Sequence, residues 1–458
     1  MCNVLVYKGM QGYKMKKQLV GNSDEQESNL EFEKFKSLVL NNKLSIDYKN
    51  NEIYKSMQIL DNIKEISVGT VFSGIGAIEH ALEILQIPHK ISFACDNGGI
   101  LFESIASEQD IVQLDSLHTQ QEKTAFVESV YNKARKTNFV KQSYLANYQL
   151  SEDDFFHDIR FLGAHINKKV DLLVGGSPCQ SFSIAGKRGG FEDTRGTLFF
   201  EFARCVKEFQ PDVFIYENVK GLINHDGGKT FSTVINTFDE LGYKYFYQVL
   251  NAKDFGIPQN RQRIFVIGFK NKEVEFEFPK PVELKTKMAD FLLGKVENKY
   301  YLSETQTNFV RNPAKLKKQY TQINGAVGLC QRACQQYNLH GDFVEDKYYL
   351  SNNLLNYVMS EGTKKFKIKP SIDSDIAKAL LASMHKMHRA SIDNYVTGEG
   401  NRIRKLTPRE CLRLMGFCDT FEQKVSDMQM YKQAGNSIVV DVLMALMCSI
   451  VNTKVFAK

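Results

Sequence analysis

No stretch of the 458 residues reaches the roughly 18 uncharged apolar residues that a membrane span requires. The longest candidate, Val439 to Val451, carries Asp441 and reads as a buried helix, so no membrane partner is expected. The N-terminus is basic but no long apolar core follows it, so a secretory signal is not expected. Nine cysteines, odd in number and without framework spacing, argue against a disulfide scaffold and for a reducing compartment. The expected location is therefore the cytoplasm. No internal repeat is evident. Cys330, Cys334, His385 and His388 come nearest to a metal set, but their spacing fits no common pattern and no metal is expected. The stretch GGKT (227–230) resembles the tail of a phosphate-binding loop, yet Ile223 stands where that loop needs glycine.

What is present is an ordinary globular composition, 43% apolar and 24% charged, long enough for two or three domains. The net charge is +6, and residues 281–400 hold most of the excess, 17 Lys+Arg against 12 Asp+Glu. A polyanion-binding region there competes with a solvated basic face as the reading. Residues 1–66 lack turn punctuation and read as an extension, partly helical and of unknown role. From residue 67 to 280, apolar runs alternate with helical patterns: VGTVFSG (68–74), KISFACD (90–96), DLLVGGSPC (171–179), DVFIYEN (212–218) and IFVIG (264–268). Unbroken Val, Ile, Leu and Phe is the pattern of strands buried on both faces of a parallel sheet. An α/β fold with a doubly wound, mostly parallel sheet follows. A polar insertion spans 107–157, with Phe126, Val127, Val130, Tyr131 and Ala134 on one helical face. The rhythm stops near 280, so 281–400 reads as a smaller, irregular second domain. Residues 401–458 return to the first, ending in a helix with Val442, Leu443, Leu446, Met447 and Ile450 on one face.

Ligands of such sheets bind beyond the carboxyl ends of the strands. After the first strand comes Phe72-Ser73-Gly74-Ile75-Gly76, whose glycines let the backbone turn tightly at a helix N-terminus. The second strand ends in Asp96, 20 residues after Gly76 and placed to accept ribose hydroxyls. The pair points to an adenosine-type ligand and does not separate a nicotinamide cofactor from S-adenosylmethionine. The third glycine of a full dinucleotide fingerprint is Glu79, so no pyrophosphate cradle is seen and a ligand without phosphates is favoured.

Chemistry-bearing residues gather at three further strand ends. Two glycines and Pro178 present Cys179, an intrinsically nucleophilic thiol, at the active edge of the sheet. A buried structural cysteine is the usual alternative, but Cys179 lies at a strand end and not on a packed face. Glu217 ends the fourth strand, where packing gives no reason for an acid. Arg261 and Arg263 precede the fifth, two apart, so both side chains are expected on one side. A nucleophile, a proton donor and an oxyanion holder thus share one crevice.

These motifs together resemble the DNA (cytosine-5) methyltransferase family of the prokaryotic restriction–modification type. The order is FSGIG (72–76), Asp96, Asp158, SPCQSFS (177–183), GKRGGFEDTRGTLFFEFAR (186–204), ENV (217–219), QNRQRIF (259–265), RKLTPRECLRLMGF (404–417) and QAGNSIVVDVL (433–443). One motif is weak; nine in order are specific. The resemblance implies a fold for S-adenosylmethionine-dependent methyl transfer, with 281–400 as a target-recognition domain. It implies cofactor contacts from Phe72, Gly74, Ile75, Gly76, Asp96, Asp158, Ile159, Pro178, Leu198, Asn436 and Ser437. It implies catalysis by Cys179, Glu217, Arg261 and Arg263, and a mobile loop over 180–198. The reaction implied is methylation of carbon 5 of a flipped-out cytosine in a short duplex DNA site, through a covalent Cys179 adduct. The protein is expected to be a monomer, with a cognate restriction endonuclease as a candidate partner.

Two departures stand out. Asp96 is shorter than the glutamate common at its place, and Asn97 replaces a frequent aromatic. The chain has no tryptophan, so adenine stacking falls to another residue such as Phe72. Rival readings are a tRNA-methylating relative and a catalytically silent DNA-binding protein. The roughly 140 residues between Arg263 and Arg404 weigh against the first, and the occupied catalytic positions against the second.

Overall fold

The computed structural model describes residues 63–178, 198–294, 296–302, 371–386, 388, 390–398 and 403–458. Strand β1 (Ile66–Val71) runs into the glycine loop and helix α1 (Ala77–Leu85). Strand β2 (His89–Cys95) follows, then helices α2 (Glu108–Ser116), α3 (Gln120–Lys133) and α4 (Phe139–Asn147). Next come β3 (Phe155–Phe156), β4 (Leu172–Gly175), α5 (Leu198–Phe209) and β5 (Val213–Val219). Then come α6 (Lys229–Glu240), β6 (Lys244–Asn251), β7 (Gln259–Asn260) and β8 (Gln262–Phe269).

Seven strands form one sheet in the order β3-β2-β1-β4-β5-β8-β6. The pairs β3–β2, β2–β1, β1–β4 and β4–β5 are parallel. Only β8 is reversed, pairing antiparallel with both β5 and β6. The strand order turns back between β1 and β4, where the connections leave to opposite sides and open a crevice. The sheet was legible as mostly parallel, but β3 and β6 were not anticipated. β6 is an edge strand, half exposed along KYFYQVLN, so it lacks the unbroken apolar run that marked the others.

One core lies on each face. On the first, α1, α4 and the C-terminal helix α9 (Val440–Asn452) pack together. Helix α1 is buried nearly all round because it is sandwiched between the sheet and α9. The stretch Asp427–Asn452, apolar enough by composition to cross a membrane, is mostly buried in this core. On the other face α5 turns Phe199, Phe200, Phe202, Cys205 and Val206 inward against Phe238 of α6. Each such phenylalanine contributes about 1.5–3 kcal/mol when fully buried.

The stretch read as an insertion, 107–157, divides in the structure. Its C-terminal part, α4 and β3, is the crossover that makes β3 parallel to β2, so it belongs to the sheet domain. Only α2 and α3 stand outside that crossover. The apolar face expected there is real: Val127, Val130 and Tyr131 of α3 pack on Ile100 and Phe102. Beyond the sheet, β9 (Ala377–Lys378) pairs with β7, and β10 (Tyr395–Thr397) pairs with β11 (Ile403–Lys405). The stretch from 371 to 398 therefore already leans on the sheet domain. Helices α7 (Pro408–Leu414) and α8 (Asp427–Asn436) lead into α9.

Candidate active site

The loop after β1 is built from left-handed backbone. Phe72, Gly74 and Gly76 have φ of +54°, +55° and +76°. A non-glycine residue pays for such a conformation, so Phe72 is held there by its surroundings. Ser73 ties the loop to β2: its amide donates to the Cys95 carbonyl at 3.1 Å, and its Oγ accepts from the Cys95 amide at 2.8 Å. Behind the loop, Tyr148 Oη donates to the Gly76 carbonyl at 2.7 Å, and a Cβ on Gly76 would lie 2.1 Å from that ring. Asp96 closes the other side. Its carboxylate accepts from the amides of Gly74 at 3.0 Å and Gly98 at 2.8 Å. Burial raises its pKa, against the pull of those two amides.

The crevice between β1 and β4 is a small, partly open cleft. Phe72, Ser73 and Gly74 form one wall, Val174, Gly175 and Gly176 the floor, and Asn436 to Ile438 the opposite wall; Glu217 reaches into it. The paired glycines are sterically required. A Cβ at Gly175 would come 2.6 Å from Val71, and one at Gly176 would come 2.7 Å from Glu217 Oε2.

Glu217 and Arg263 meet because of strand register. Glu217 pairs with Phe265 and Val219 with Arg263, so Glu217 and Arg263 are diagonal neighbours on one face. Arg263 Nε lies 3.0 Å from Glu217 Oε1, and its Nη1 donates to the Gln262 carbonyl at 2.9 Å. Burial raises the Glu217 pKa, while Arg263 and Arg261 pull it down. Asn218 points the other way and holds the preceding loop: its Nδ2 donates to the Ser177 carbonyl at 2.9 Å and to Tyr216 Oη at 2.9 Å.

Arg261 lies near enough for its charge to act on Glu217 and Arg263, but it is closed off from solvent. It is buried and donates to the carbonyls of Leu380 at 2.9 Å, Gly435 at 3.0 Å and Ser437 at 2.8 Å. Burial pushes its pKa down to about 9.

Of the expected cofactor residues, Phe72, Gly74, Asn436 and Ser437 line the cleft, and Asp96 adjoins it through Gly74. Ile75 and Gly76 do not line it: Ile75 is buried in the core and Gly76 backs onto Tyr148. Asp158 and Ile159 are buried at the end of β3, beyond β2. Pro178 is exposed and Leu198 begins α5, at the two ends of the gap 179–197. Cys179 and most of the 180–198 loop lie outside the described residues. Reading the sequence missed Asn218 as the loop's anchor and Arg160 as the partner of Asp158. Asn218 carried a signal, standing beside Glu217 at a buried strand end; Arg160 carried none.

The profile of the C-5 cytosine-specific DNA methylase family matches residues 116–452. The chain is similar to Type II methyltransferase M.SsoII of Shigella sonnei, 37% identical over 319 residues that cover 69% of this chain and 72% of that protein. It is also similar to Type II methyltransferase M.HpaII of Haemophilus parainfluenzae, 39% identical over 289 residues, 62% of this chain and 72% of that one. In fold it resembles the crystal structure of S. pombe Dnmt2 methyltransferase, with a TM-score of 0.54 at 17% identity over 85% of this chain and 99% of that one. Profile, relatives and sheet agree, and the chain belongs to the C-5 cytosine-specific DNA methylases, as a DNA cytosine-5 methyltransferase of the type II restriction–modification kind.

Proposed function

We propose that the chain methylates a flipped-out cytosine in a short duplex DNA sequence, with Cys179 as nucleophile and S-adenosylmethionine as methyl donor. The cleft suits that donor. It lies at the switch point, and Asp96 adjoins it through Gly74. Phe72, Gly74, Asn436 and Ser437 would hold the donor, Asp96 its ribose and Asp158 its adenine amine. When bound it supplies an electrophilic methyl group on a sulfonium.

The chain's own residues do the rest. The Cys179 thiolate adds to carbon 6 of cytosine, and the displaced electron pair makes carbon 5 nucleophilic. Glu217, kept protonated to higher pH by burial, gives its proton to ring nitrogen 3. Arg263 keeps Glu217 in place through Nε; its Nη2, without a partner among the described residues, would hold the cytosine carbonyl oxygen. Arg261 acts through the wall it staples, fixing Gly435 and Ser437 beside the donor. Once carbon 5 is methylated, water takes its proton, the carbon 5–carbon 6 double bond re-forms as the thiolate leaves, and nitrogen 3 returns its proton to Glu217. Because these atoms are hidden in a stacked duplex, the base must be flipped out. Residues 281–400 would read the sequence, and the protein would work as a cytoplasmic monomer of a bacterium or phage beside a cognate endonuclease.

The observation that carries this reading is Glu217 in the cleft, paired with Arg263 and set against Gly176, three residues before Cys179. Duplex DNA with 5-fluorocytosine in the target site tests it, because fluorine cannot leave carbon 5 as a cation. A band resistant to denaturation should form with wild-type protein and S-adenosylmethionine and be absent from Cys179→Ser. A band that survives in Cys179→Ser would identify a different nucleophile.

A further inference from the structure

Asp158 is not an open acceptor. Arg160 Nε donates to its Oδ1 at 2.9 Å, Arg160 Nη2 to Oδ2 at 2.6 Å, and the Arg160 amide to Oδ1 at 3.1 Å. Arg160 is gripped in turn by Glu103, whose Oε1 lies 2.6 Å from Nη1. Glu103 belongs to the turn that opens the segment between β2 and α4, where α2 and α3 are added. That segment holds the Asp158 loop at further points. Glu128 of α3 accepts from the His157 amide at 2.8 Å, and the Tyr131 ring stacks on His157 at 4.7 Å. Thr124 bonds His165 Nε2 at 2.8 Å and donates to the Phe161 carbonyl.

A carboxylate has about four acceptor sites, and Arg160 contacts all four on Asp158, its Nε shared between Oδ1 and Oδ2, the latter at the longer 3.2 Å. The fork fixes the carboxylate plane, and the shared Nε contact on Oδ2 is the longest of the four, the one that a further donor can displace. We propose that Arg160, held by Glu103, is a positioning residue that aims Oδ2 at the exocyclic amine of the donor's adenine. The added segment thereby sets the enzyme's preference for adenine at a site where Asn97 supplies no aromatic ring. This inference rests on the reading of Asp158 as the adenine-amine acceptor.

The probes are S-adenosylhomocysteine and S-inosylhomocysteine, which carries a 6-oxo group in place of the amine, titrated into the full-length protein by calorimetry. Wild type should prefer the adenosyl compound by at least about tenfold, the scale of one charge-assisted hydrogen bond. Arg160→Ala should lose most of that preference while its affinity for the inosyl compound changes by no more than about twofold, a selectivity that general loosening would not produce. Glu103→Gln and Arg160→Lys, which keep the site filled and stand in if Arg160→Ala does not fold, should each lose about half of the preference on a logarithmic scale. Full preference retained in Arg160→Lys and Glu103→Gln, or in a folded Arg160→Ala, overturns the role of Arg160. Asp158→Asn separates the two ideas. If it abolishes the preference and the Arg160 variants do not, only the positioning inference fails; if it too keeps the preference, or wild type shows none, the assignment of Asp158 to adenine fails.

Discussion

Glu217 sits between two opposing influences, burial that lifts its pKa and the guanidiniums of Arg263 and Arg261 that lower it, and burial prevails. A turnover step that needs the protonated acid should therefore weaken as pH climbs through the raised value. Glu217→Gln should slow turnover by about 100-fold and flatten that alkaline limb, because an amide has no proton to give up. A kcat profile in the variant with the wild-type limb would assign the titration to another group. Glu79 offers a test of stability away from the chemistry. It is fully buried on α1, accepts from Tyr144 Oη at 2.6 Å, and has its pKa raised by burial over the opposing hydrogen bonds of Tyr144 and Thr70. Its folded pKa lies above its unfolded one, so its stabilising contribution is complete below the unfolded value and is lost as pH rises through the folded one. Glu79→Gln should thus narrow the stability difference between pH 5 and pH 8 in urea unfolding; an unchanged difference would place that pH dependence elsewhere. Residue identity alone was enough to mark Glu217, but the inward turn of Arg261 depends on acceptors from residues 380–437 that no local pattern reveals.

Helix α7 shows how an element can be joined to its neighbours by a single carboxylate. Thr407 and Glu410 form a reciprocal cap, with Pro408 in the first turn, and Glu410 also takes a two-pronged bond from buried Arg404 at 2.8 Å to each oxygen. Its Oε1 accepts from the Leu293 amide as well. Glu410→Ala should cost about 3–5 kcal/mol in chemical denaturation, since it strands a buried guanidinium. A loss below about 1 kcal/mol would mean that water or another carboxylate replaces the pair. Elements of this sort were legible where one rule dominated. The buried strands β1, β2, β4, β5 and β8 showed as apolar runs, and α9 as an apolar face. β6 failed that rule because its outer positions meet solvent, and the two-residue β3 is too short for any period. α4 was hidden for another reason: its burial rests on Tyr144 and Tyr148, which spend their hydroxyls on Glu79 and on the carbonyls of Ile75 and Gly76, and polar-tipped rings do not read as a core.

At the scale of the whole molecule, the basic excess of 281–400 lies mostly outside the described residues, while 371–398 is bonded to the sheet domain through the β7–β9 pair and Leu380. Exchange of residues 303–370 for the matching stretch of a relative spares those anchors, and the methylated sequence should follow the donor while cofactor affinity stays. Bisulfite sequencing of host DNA would read the outcome, and an unchanged site would move recognition out of this region. The Arg261 staple has a consequence in time as well as in space. Its three acceptors lie 119, 174 and 176 residues further along the chain. During synthesis the strands from β1 to β8 emerge first, with a cation whose final surroundings do not yet exist. Until Ser437 is made, that guanidinium lacks one of its three acceptors and the cleft lacks part of one wall. Completion of the cleft is thus tied to completion of the chain: a ribosome stalled before the last helices carries the sheet without the wall that Asn436, Ser437 and Ile438 supply.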